Sequence, residues 1–313
     1  MKKYFLICLT IIIGVYGCKV DIGDGDIEWH HQIANESEYF DMEDYNIHYI
    51  DIGNGLPVFM VHGFADSTYC WHKNMNPLLA AGFRTILIDQ PGMGLSGMPP
   101  EEHIFSIENQ ASAVIALADH LGLKQFDIVG SSMGGGISLY LSLKYPEKIR
   151  KTIVIDPACY EPPGRVPMIL SLPGAETIAS VFAGKWTVKG ALKDVYFEDS
   201  KVDQILIDEY ARPMNKPGYM HVITSLRTQY FSDEFHNMTE NHGKLKTQLL
   251  VIWGENDAWI PLEFGKKLHS IVPGSELRII EQCGHMPHQE KPDEVNPLII
   301  EFLNADMNHG KIL

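Results

Sequence analysis

The 313-residue sequence contains no cluster of Lys and Arg of the kind that binds a phosphate backbone. It has 25 basic against 40 acidic side chains, a formal net charge of −15. Nucleic acids are bound mainly through clustered cations, so this balance argues against a nucleic-acid partner. It indicates an acidic surface that keeps the protein in solution.

Metal-binding spacings are also missing. The sequence has no H-E-x-x-H and no C-x-x-C, and the adjacent His30 and His31 are poorly spaced for chelation, so we expect no metal site. Cysteine is scarce. Outside the first eighteen residues only Cys70, Cys159 and Cys283 remain, an odd number, and we expect no disulfide among them.

The first eighteen residues, MKKYFLICLTIIIGVYGC, have the pattern of an export signal. Lys2 and Lys3 precede a mostly apolar stretch from Phe5 to Val15, which is well below the roughly 20 residues needed to cross a bilayer as a retained helix. We therefore expect residues 1–17 to be removed.

The end of this segment, V-Y-G-C, resembles the lipobox of bacterial lipoproteins, although Tyr16 is bulkier than that pattern usually has. The resemblance implies lipidation of Cys18, which would anchor the protein in a bacterial cell membrane, inner or outer, with residues 18–44 as lipidated terminus and spacer. The alternative is an ordinary periplasmic or secreted protein in which Cys18 is incidental.

From Tyr45 onward, strand-like and helix-like segments alternate, which is typical of a mostly parallel sheet covered by helices on both faces. We expect a doubly wound α/β fold. The helical pattern includes Ala111, Val114 and Ala118 on one face. Seven strands are predicted, in the segments YNIHYIDIG, LPVFMVHG, FRTILIDQ, QFDIVGS, KTIVIDPA, QLLVIWG and ELRIIEQCG.

The alternation stops between Cys159 and Lys244, where Pro and Gly interrupt amphipathic helical stretches such as the stripe of Tyr219, Val222, Leu226 and Tyr230. We interpret residues 159–244 as a helical insertion between two strands of the sheet. The core is then formed by residues 45–158 and 245–306. Met and aromatic residues in the insertion are expected either to pack between its helices or to line a pocket.

A nucleophile elbow is predicted at Gly130-Ser131-Ser132-Met133-Gly134, which matches G-x-S-x-G between a strand and a helix. Such an elbow forces its central residue into a strained backbone conformation, and only flanking residues without bulk allow the close approach. If Ser131 were the central residue of the motif, residue 129 would have to be small, but it is Val129. Ser132 is therefore the candidate nucleophile.

A serine hydroxyl needs a base, and the base needs a carboxylate to orient it. Both are expected after later strands: Asp257 follows LLVIWG, and His285 follows LRIIEQCG. The order Ser, Asp, His is the one used by hydrolases on this kind of sheet. Glu255, and Asp156 at the end of TIVID, remain alternative carboxylates.

Acyl transfer also needs N–H donors for the developing oxyanion. The backbone amide of Met133 is one candidate, because it begins the helix after Ser132. The other is the amide of Phe64, in the loop after the PVFMV strand. His62 in the same loop is interpreted as a packing residue.

Five segments, HGF, DQPGMGLS, GSSMGG, GENDAWIP and CGHMPHQEKP, resemble the α/β-hydrolase superfamily in its branch with a helical cap, over nearly the whole chain after Tyr45. The resemblance implies an eight-stranded sheet and a cap formed by residues 159–244. It also implies Ser132 as nucleophile, Asp257 as acid, His285 as base, Phe64 and Met133 as oxyanion donors, and a structural role for residues 89–96.

Members of this branch that act at saturated carbon have an aspartate where this chain has Ser132, so we expect attack on a carbonyl carbon. The expected substrate is a small-to-medium hydrophobic carboxylic ester, hydrolysed without a cofactor. Alternatives with the same triad are carbon-carbon bond hydrolases, aminopeptidases, thioesterases and perhydrolases. A carbon-carbon hydrolase would need a cation for its anionic substrate, with Arg165 and Arg212 as candidates.

The alternative from a different class of protein is a membrane-tethered binding protein that kept the fold without catalysis. Such a protein would have no need for a strained serine.

Overall fold

The computed structural model describes residues 26–161 and 184–305. The predicted export signal, Cys18 and Arg165 lie outside these residues. In the part of the chain that is described, no helix has the length and apolar character needed to cross a membrane.

Eight strands form one sheet. Their bounds are β1 Ser37–Asp41, β2 Asn46–Ile52, β3 Pro57–Val61, β4 Arg84–Ile88, β5 Phe126–Ser131, β6 Ile149–Ile155, β7 Gln248–Gly254 and β8 Glu276–Ile280. The described α-helices are α1 Ile27–Ile33, α2 Met75–Ala80, α3 Ile107–His120, α4 Met133–Lys144, α5 Lys185–Val195, α6 Gln204–Ala211, α7 Tyr219–Gln229, α8 Asp233–Asn241, α9 Leu262–Ile271, α10 Pro287–Glu290 and α11 Pro292–Asn304.

The strand order is β1-β2-β4-β3-β5-β6-β7-β8. β1 and β2 pair antiparallel, as do β2 and β4, whereas every neighbouring pair from β4 to β8 is parallel. This is the mostly parallel, eight-stranded sheet that the family resemblance implies, with one strand more than the seven predicted from the residue pattern. The order reverses at β3, and ligands of open α/β sheets bind beyond the carboxyl ends of the strands near such a point.

Apolar residues cover both faces of the sheet, as expected when helices flank parallel strands. Phe59 and Val61 of β3 pack in a cluster with α3, α4, α8 and α9. Val58 and Met60 of the same strand pack in a second cluster with α1, α2 and α11. The alternation of side chains along β3 thus supplies both layers of the doubly wound core.

The N-terminal part of the fold differs from the predicted spacer. Residues 27–33 form α1 and residues 37–41 form β1, so the segment before residue 45 belongs to the folded domain from α1 onward. Trp29 is only 4% exposed and packs in the second cluster. β1 was missed because it is an edge strand of mixed burial, SEYFD, with no apolar run or alternation to identify it.

The segment between β6 and β7 contains α5, α6, α7 and α8 in its described part, which shows no strand. The predicted stripe lies on α7, where Tyr219, Val222 and Leu226 are buried, and it continues to the buried Tyr230. Residues 159–244 are called the cap below. Cys70, Cys159 and Cys283 are buried free thiols.

Candidate active site

Ser132 lies between β5 and α4 with backbone angles φ 52° and ψ −116°, outside the regions that non-glycine residues ordinarily adopt. Neighbouring backbone fixes it there. Its N–H donates to the Ile155 carbonyl at 2.9 Å, and its own carbonyl accepts the Ala158 N–H at 2.8 Å. The end of β6 therefore holds the strained elbow in place.

Glycines on either side of Ser132 allow this close approach. A Cβ on Gly130 would lie 2.2 Å from the Gly134 carbonyl oxygen, and a Cβ on Gly134 would lie 2.1 Å from the Val61 carbonyl oxygen. Both contacts are with backbone atoms, which cannot move aside as a flexible side chain could. The glycines predicted for the elbow are thus required by the packing of α4 against β5, at Gly130, and against β3, at Gly134.

His285 lies in the loop after β8 and directs its ring at Ser132. Its Nε2 is 2.9 Å from the Ser132 Oγ, and its Nδ1 is 2.6 Å from Asp257 Oδ2. The backbone N–H of His285 donates to the Val195 carbonyl of the cap at 2.6 Å. The His285 side chain is only 3% exposed. Three side chains predicted from separate parts of the sequence thus converge beyond the carboxyl ends of β5, β7 and β8.

Asp257 is held in a turn after β7, where its Oδ1 accepts the N–H groups of Trp259 and Ile260 at 2.7 and 2.9 Å. Burial opposes ionisation of Asp257, but His285 and the Ile260 N–H outweigh burial and lower the pKa of this carboxyl. An ionised Asp257 only accepts hydrogen bonds, so His285 Nδ1 carries the proton and Nε2 presents its lone pair to the Ser132 hydroxyl.

The alternative carboxylates are placed differently. Glu255 is exposed, and its Oε2 accepts the Gln282 N–H at 3.2 Å. Asp156 is completely buried beside Asp257 and His285, with side-chain ligand atoms of the three residues within 4.8 Å of one another, but the carboxylate on His285 Nδ1 is that of Asp257.

The loop after β3 lies directly against the elbow. A Cβ on Gly63 would be 3.1 Å from the Ser132 Cβ, and Phe64 is the next residue. Met133 begins α4, where backbone N–H groups have no partner within the helix. The two predicted oxyanion donors therefore belong to two separate segments that border Ser132.

Two buried side chains near this site, those of His62 and Asp89, form hydrogen bonds with backbone groups of the neighbouring loops. His62 accepts the Gln90 N–H at Nε2 and donates from Nδ1 to the Gly63 carbonyl, which agrees with a packing role. Asp89, at the start of the predicted structural loop, accepts bonds from His48 and from the Thr68 and Leu95 N–H groups.

Glu290 is a residue that the sequence analysis did not single out, although it lies in the quoted segment CGHMPHQEKP. It is 3% exposed, and its carboxylate accepts the N–H groups of Gly284, Phe197 and Glu198 at 2.9, 3.1 and 2.9 Å. One buried carboxylate thus ties the loop of His285 to the cap. Only the position of Glu290, five residues after His285, could have indicated this.

An elbow serine with a histidine and a carboxylate in line, on a mostly parallel eight-stranded sheet, defines a hydrolase of the α/β-hydrolase fold. Comparison with known proteins supports this class. The family described as "alpha/beta hydrolase fold" matches residues 57–173.

Two curated relatives match most of the chain. The 2-hydroxy-6-oxo-6-phenylhexa-2,4-dienoate hydrolase of Burkholderia cepacia is 30% identical over 268 residues, covering 84% of this chain and 92% of that protein. The uncharacterized hydrolase YugF of Bacillus subtilis (strain 168) is 31% identical over 261 residues, covering 83% and 93%. A crystal structure of a meta-cleavage product hydrolase (CumD) aligns with TM-score 0.73 at 21% identity, over 87% of this chain and 99% of that one. The chain belongs to the α/β-hydrolase family and is a hydrolase.

Proposed function

We propose that this hydrolase cleaves carboxylic esters through an acyl-enzyme on Ser132. The observation that carries the proposal is the arrangement of Ser132 Oγ, His285 and Asp257, with 2.9 and 2.6 Å between successive partners. Activation of a serine by an oriented histidine is useful for attack at a carbonyl carbon, and the strained backbone of Ser132 has no structural purpose that an ordinary turn would not serve.

In the proposed reaction, Ser132 Oγ bonds to the ester carbonyl carbon while its proton moves to His285 Nε2. Asp257 stabilises the imidazolium, and the Phe64 and Met133 amides donate to the oxyanion. The intermediate collapses, the bond to the alcohol oxygen breaks, and His285 Nε2 protonates that oxygen. Water then attacks the acyl-enzyme with its proton passing to His285, and collapse returns the proton to Ser132 Oγ. The net reaction consumes one water and yields an acid and an alcohol.

A hydrophobic substrate group fits the side chains next to His285. The Trp259 ring lies 5.7 Å from the His285 ring at an angle of 29°, and Trp259 is 39% exposed. Phe197, whose N–H is bound by Glu290 beside the His285 loop, is 47% exposed. Exposed aromatic surface at this place favours an apolar acyl or alcohol group over a sugar or a charged metabolite.

Carbon-carbon bond hydrolysis is the second candidate, because the Burkholderia cepacia relative is named as a dienoate hydrolase. Such a substrate is an anion and would need a cation near Ser132. Of the two expected cations, Arg212 forms an ion pair with Glu209 at 3.0 Å, which already neutralises it, and Arg165 lies outside the described residues. This pairing favours the ester.

The deciding experiment is hydrolysis of a p-nitrophenyl ester series of increasing acyl length, beside a 2-hydroxy-6-oxo-dienoate, by wild type and Ser132→Ala. The proposal expects turnover of short-to-medium esters, no turnover of the dienoate, and loss of at least about 1,000-fold in kcat in the variant. Full activity of Ser132→Ala would refute it. Dienoate turnover far above ester turnover, lost in Ser132→Ala, would establish the second candidate instead.

We also propose that the protein is exported and lipid-anchored to a bacterial cell membrane through Cys18, on the basis of the V-Y-G-C sequence alone. Metabolic labelling with a tagged fatty acid, followed by membrane fractionation, tests this. Wild type should be labelled and sediment with membranes, and Cys18→Ser should lose both properties. Equal behaviour of the two would leave an ordinary periplasmic or secreted protein.

A further inference from the structure

Asp156 is a buried carboxyl group beside the site that the proposed mechanism does not use. It directly follows β6, and its backbone N–H donates to the Ile252 carbonyl of the neighbouring β7 at 3.0 Å. Its φ of 43° is in the left-handed region, which Asp and Asn tolerate better than most residues. The turn after β6 therefore directs this side chain toward the loop that carries Asp257.

The hydrogen bonds of Asp156 indicate which form its carboxyl group takes. Oδ1 accepts the Gly254 N–H at 3.0 Å, whereas the buried Oδ2 meets no nitrogen or hydroxyl donor in the described part of the chain. An ionised Asp156 would leave that oxygen buried with unused lone pairs. Protonation removes that cost and turns the group into a donor with an acceptor beside it, because side-chain oxygens of Asp156 and Asp257 lie within 4.8 Å of each other.

The charged groups around Asp156 also favour the protonated form of its carboxyl group. The ionisable groups that face Asp156 in the described residues are Asp257, His285, Glu290 and the Cys283 thiol. Two of these are carboxylates, and the imidazole is already bonded to Asp257. Burial raises the pKa of Asp156 well above its usual value, and the neighbouring Asp257 raises it further. Two adjacent buried carboxyls beside a neutral imidazole hold one proton between them.

We propose that Asp156 is a positioning residue that remains protonated and donates a hydrogen bond to the Asp257 carboxylate. This rests on the proposed function, in which Asp257 orients His285. With this bond, Asp257 receives donors from Asp156, His285 and the turn after β7, which fixes the plane of its carboxylate. The bond also draws negative charge away from the Asp257 oxygen that faces His285.

Two substitutions separate this role from a merely structural one. Asp156→Asn keeps a donor of the same shape, cannot ionise and suits the left-handed backbone. Asp156→Gly suits the same backbone but removes the donor. We expect Asp156→Gly to lower kcat about tenfold and to shift the acidic limb of kcat/KM to higher pH, because an unassisted Asp257 carboxylate holds more negative charge beside the imidazole. Asp156→Asn should restore kcat to within about threefold of wild type, with the acidic limb unmoved.

The opposite assignment predicts a different result for Asp156→Asn. If Asp156 were ionised, the amide would remove a negative charge beside His285, and the acidic limb would move to lower pH. The infrared difference spectrum of wild type minus Asp156→Asn gives a readout that needs no turnover and no stable glycine variant. It should show a protonated-carboxyl C=O stretch that belongs to wild type alone, because bands of other buried carboxyls such as Asp66 cancel. A shift of the acidic limb to lower pH in Asp156→Asn, or a difference spectrum without that stretch, would overturn the proposal.

Failure of this inference can be told from failure of the proposed function. If Ser132→Ala retains full ester hydrolysis, the triad itself is wrong. If Ser132→Ala is inactive and both Asp156 variants match wild type in kcat and pH profile, the triad stands and the positioning role of Asp156 is refuted.

Discussion

The phenol of Tyr230, at the end of α7 in the cap, donates a hydrogen bond to the backbone carbonyl of Met133 at 2.8 Å. Met133 directly follows Ser132, so the cap is bonded to the first turn of the elbow helix. The same hydroxyl leaves no space at Gly136, where a Cβ would lie 2.4 Å from it. Contact between cap and core is thus made at the residue proposed to supply an oxyanion donor.

Tyr230→Phe should lower the free energy of unfolding by about 1 kcal/mol, the usual net contribution of one buried hydrogen bond. Urea denaturation measures this change in the free energy of unfolding. Tyr140→Phe is the matched control, because the Tyr140 hydroxyl bonds to Glu234 at a long distance of 3.5 Å. This variant should lower the free energy of unfolding by less than half as much as Tyr230→Phe. Equal losses in the two variants would show that the Met133 bond contributes nothing of its own.

Gly134→Ala should destabilise the protein by about 3 kcal/mol or more, because its Cβ would meet the Val61 and His62 carbonyl oxygens at 2.1 and 2.5 Å. Gly190→Ala, within α5, is the control. A Cβ there meets nothing within 4 Å, so alanine should stabilise by up to about 1 kcal/mol through helix propensity. Thermal unfolding compares them, and a Gly134→Ala protein as stable as wild type would contradict the close packing of the elbow.

Trp29→Ala should cost about 3 kcal/mol, because the indole is 4% exposed and packs edge-on against Tyr69 with ring centroids 5.9 Å apart. Trp186→Ala, at 66% exposure on α5, should change stability by less than about 1 kcal/mol. Chemical denaturation distinguishes the two tryptophans. Similar small effects would mean that the segment before residue 45 is a spacer after all.

The buried His288 is expected to make the folded protein less stable in acid. Burial lowers its pKa to about 3, and neither ring nitrogen has a hydrogen-bond partner in the described residues. The unfolded chain, with a histidine pKa near 6.5, therefore binds this proton first as pH falls. Stability should decline below pH 6.5, by about 1.4 kcal/mol per pH unit from this residue alone.

His288→Phe should remove that part of the pH dependence. Unfolding free energies at pH 7.0, 6.0 and 5.0 give the slope, which should be shallower in the variant by about 1.4 kcal/mol per unit between the two lower values. The exposed His31→Gln is the control and should follow the wild-type curve. A slope unchanged in His288→Phe would show that His288 is not buried in its neutral form.

The sequence predicted most of the fold because the buried parallel strands have continuous apolar runs. All seven predicted segments contain strands, and TIVI and LLVI lie within β6 and β7. β1 escaped detection because hydrogen bonds to β2 define it, whereas its own side chains are mostly exposed. Such an edge strand is specified by its neighbour, which a local pattern does not reveal.

The predicted site residues were identifiable because they follow strands whose carboxyl ends meet at one edge. The sequence left Asp156, Glu255 and Asp257 open as carboxylates, since all three follow a strand. The family resemblance favours Asp257 among them, and in the structure it is the Asp257 carboxylate that lies on Nδ1 of His285. The bonds that Glu290 makes across more than 90 residues to the cap could not be foreseen from spacing, because nothing local marks which backbone groups a buried carboxylate will meet.

The most direct test of the central claim is covalent labelling with a fluorophosphonate, followed by tandem mass spectrometry to locate the adduct. The account predicts a single modified residue, Ser132, with labelling slowed at least about 100-fold in His285→Ala because the base is then missing. An adduct on another residue, or equally fast labelling of Ser132 without His285, would contradict it.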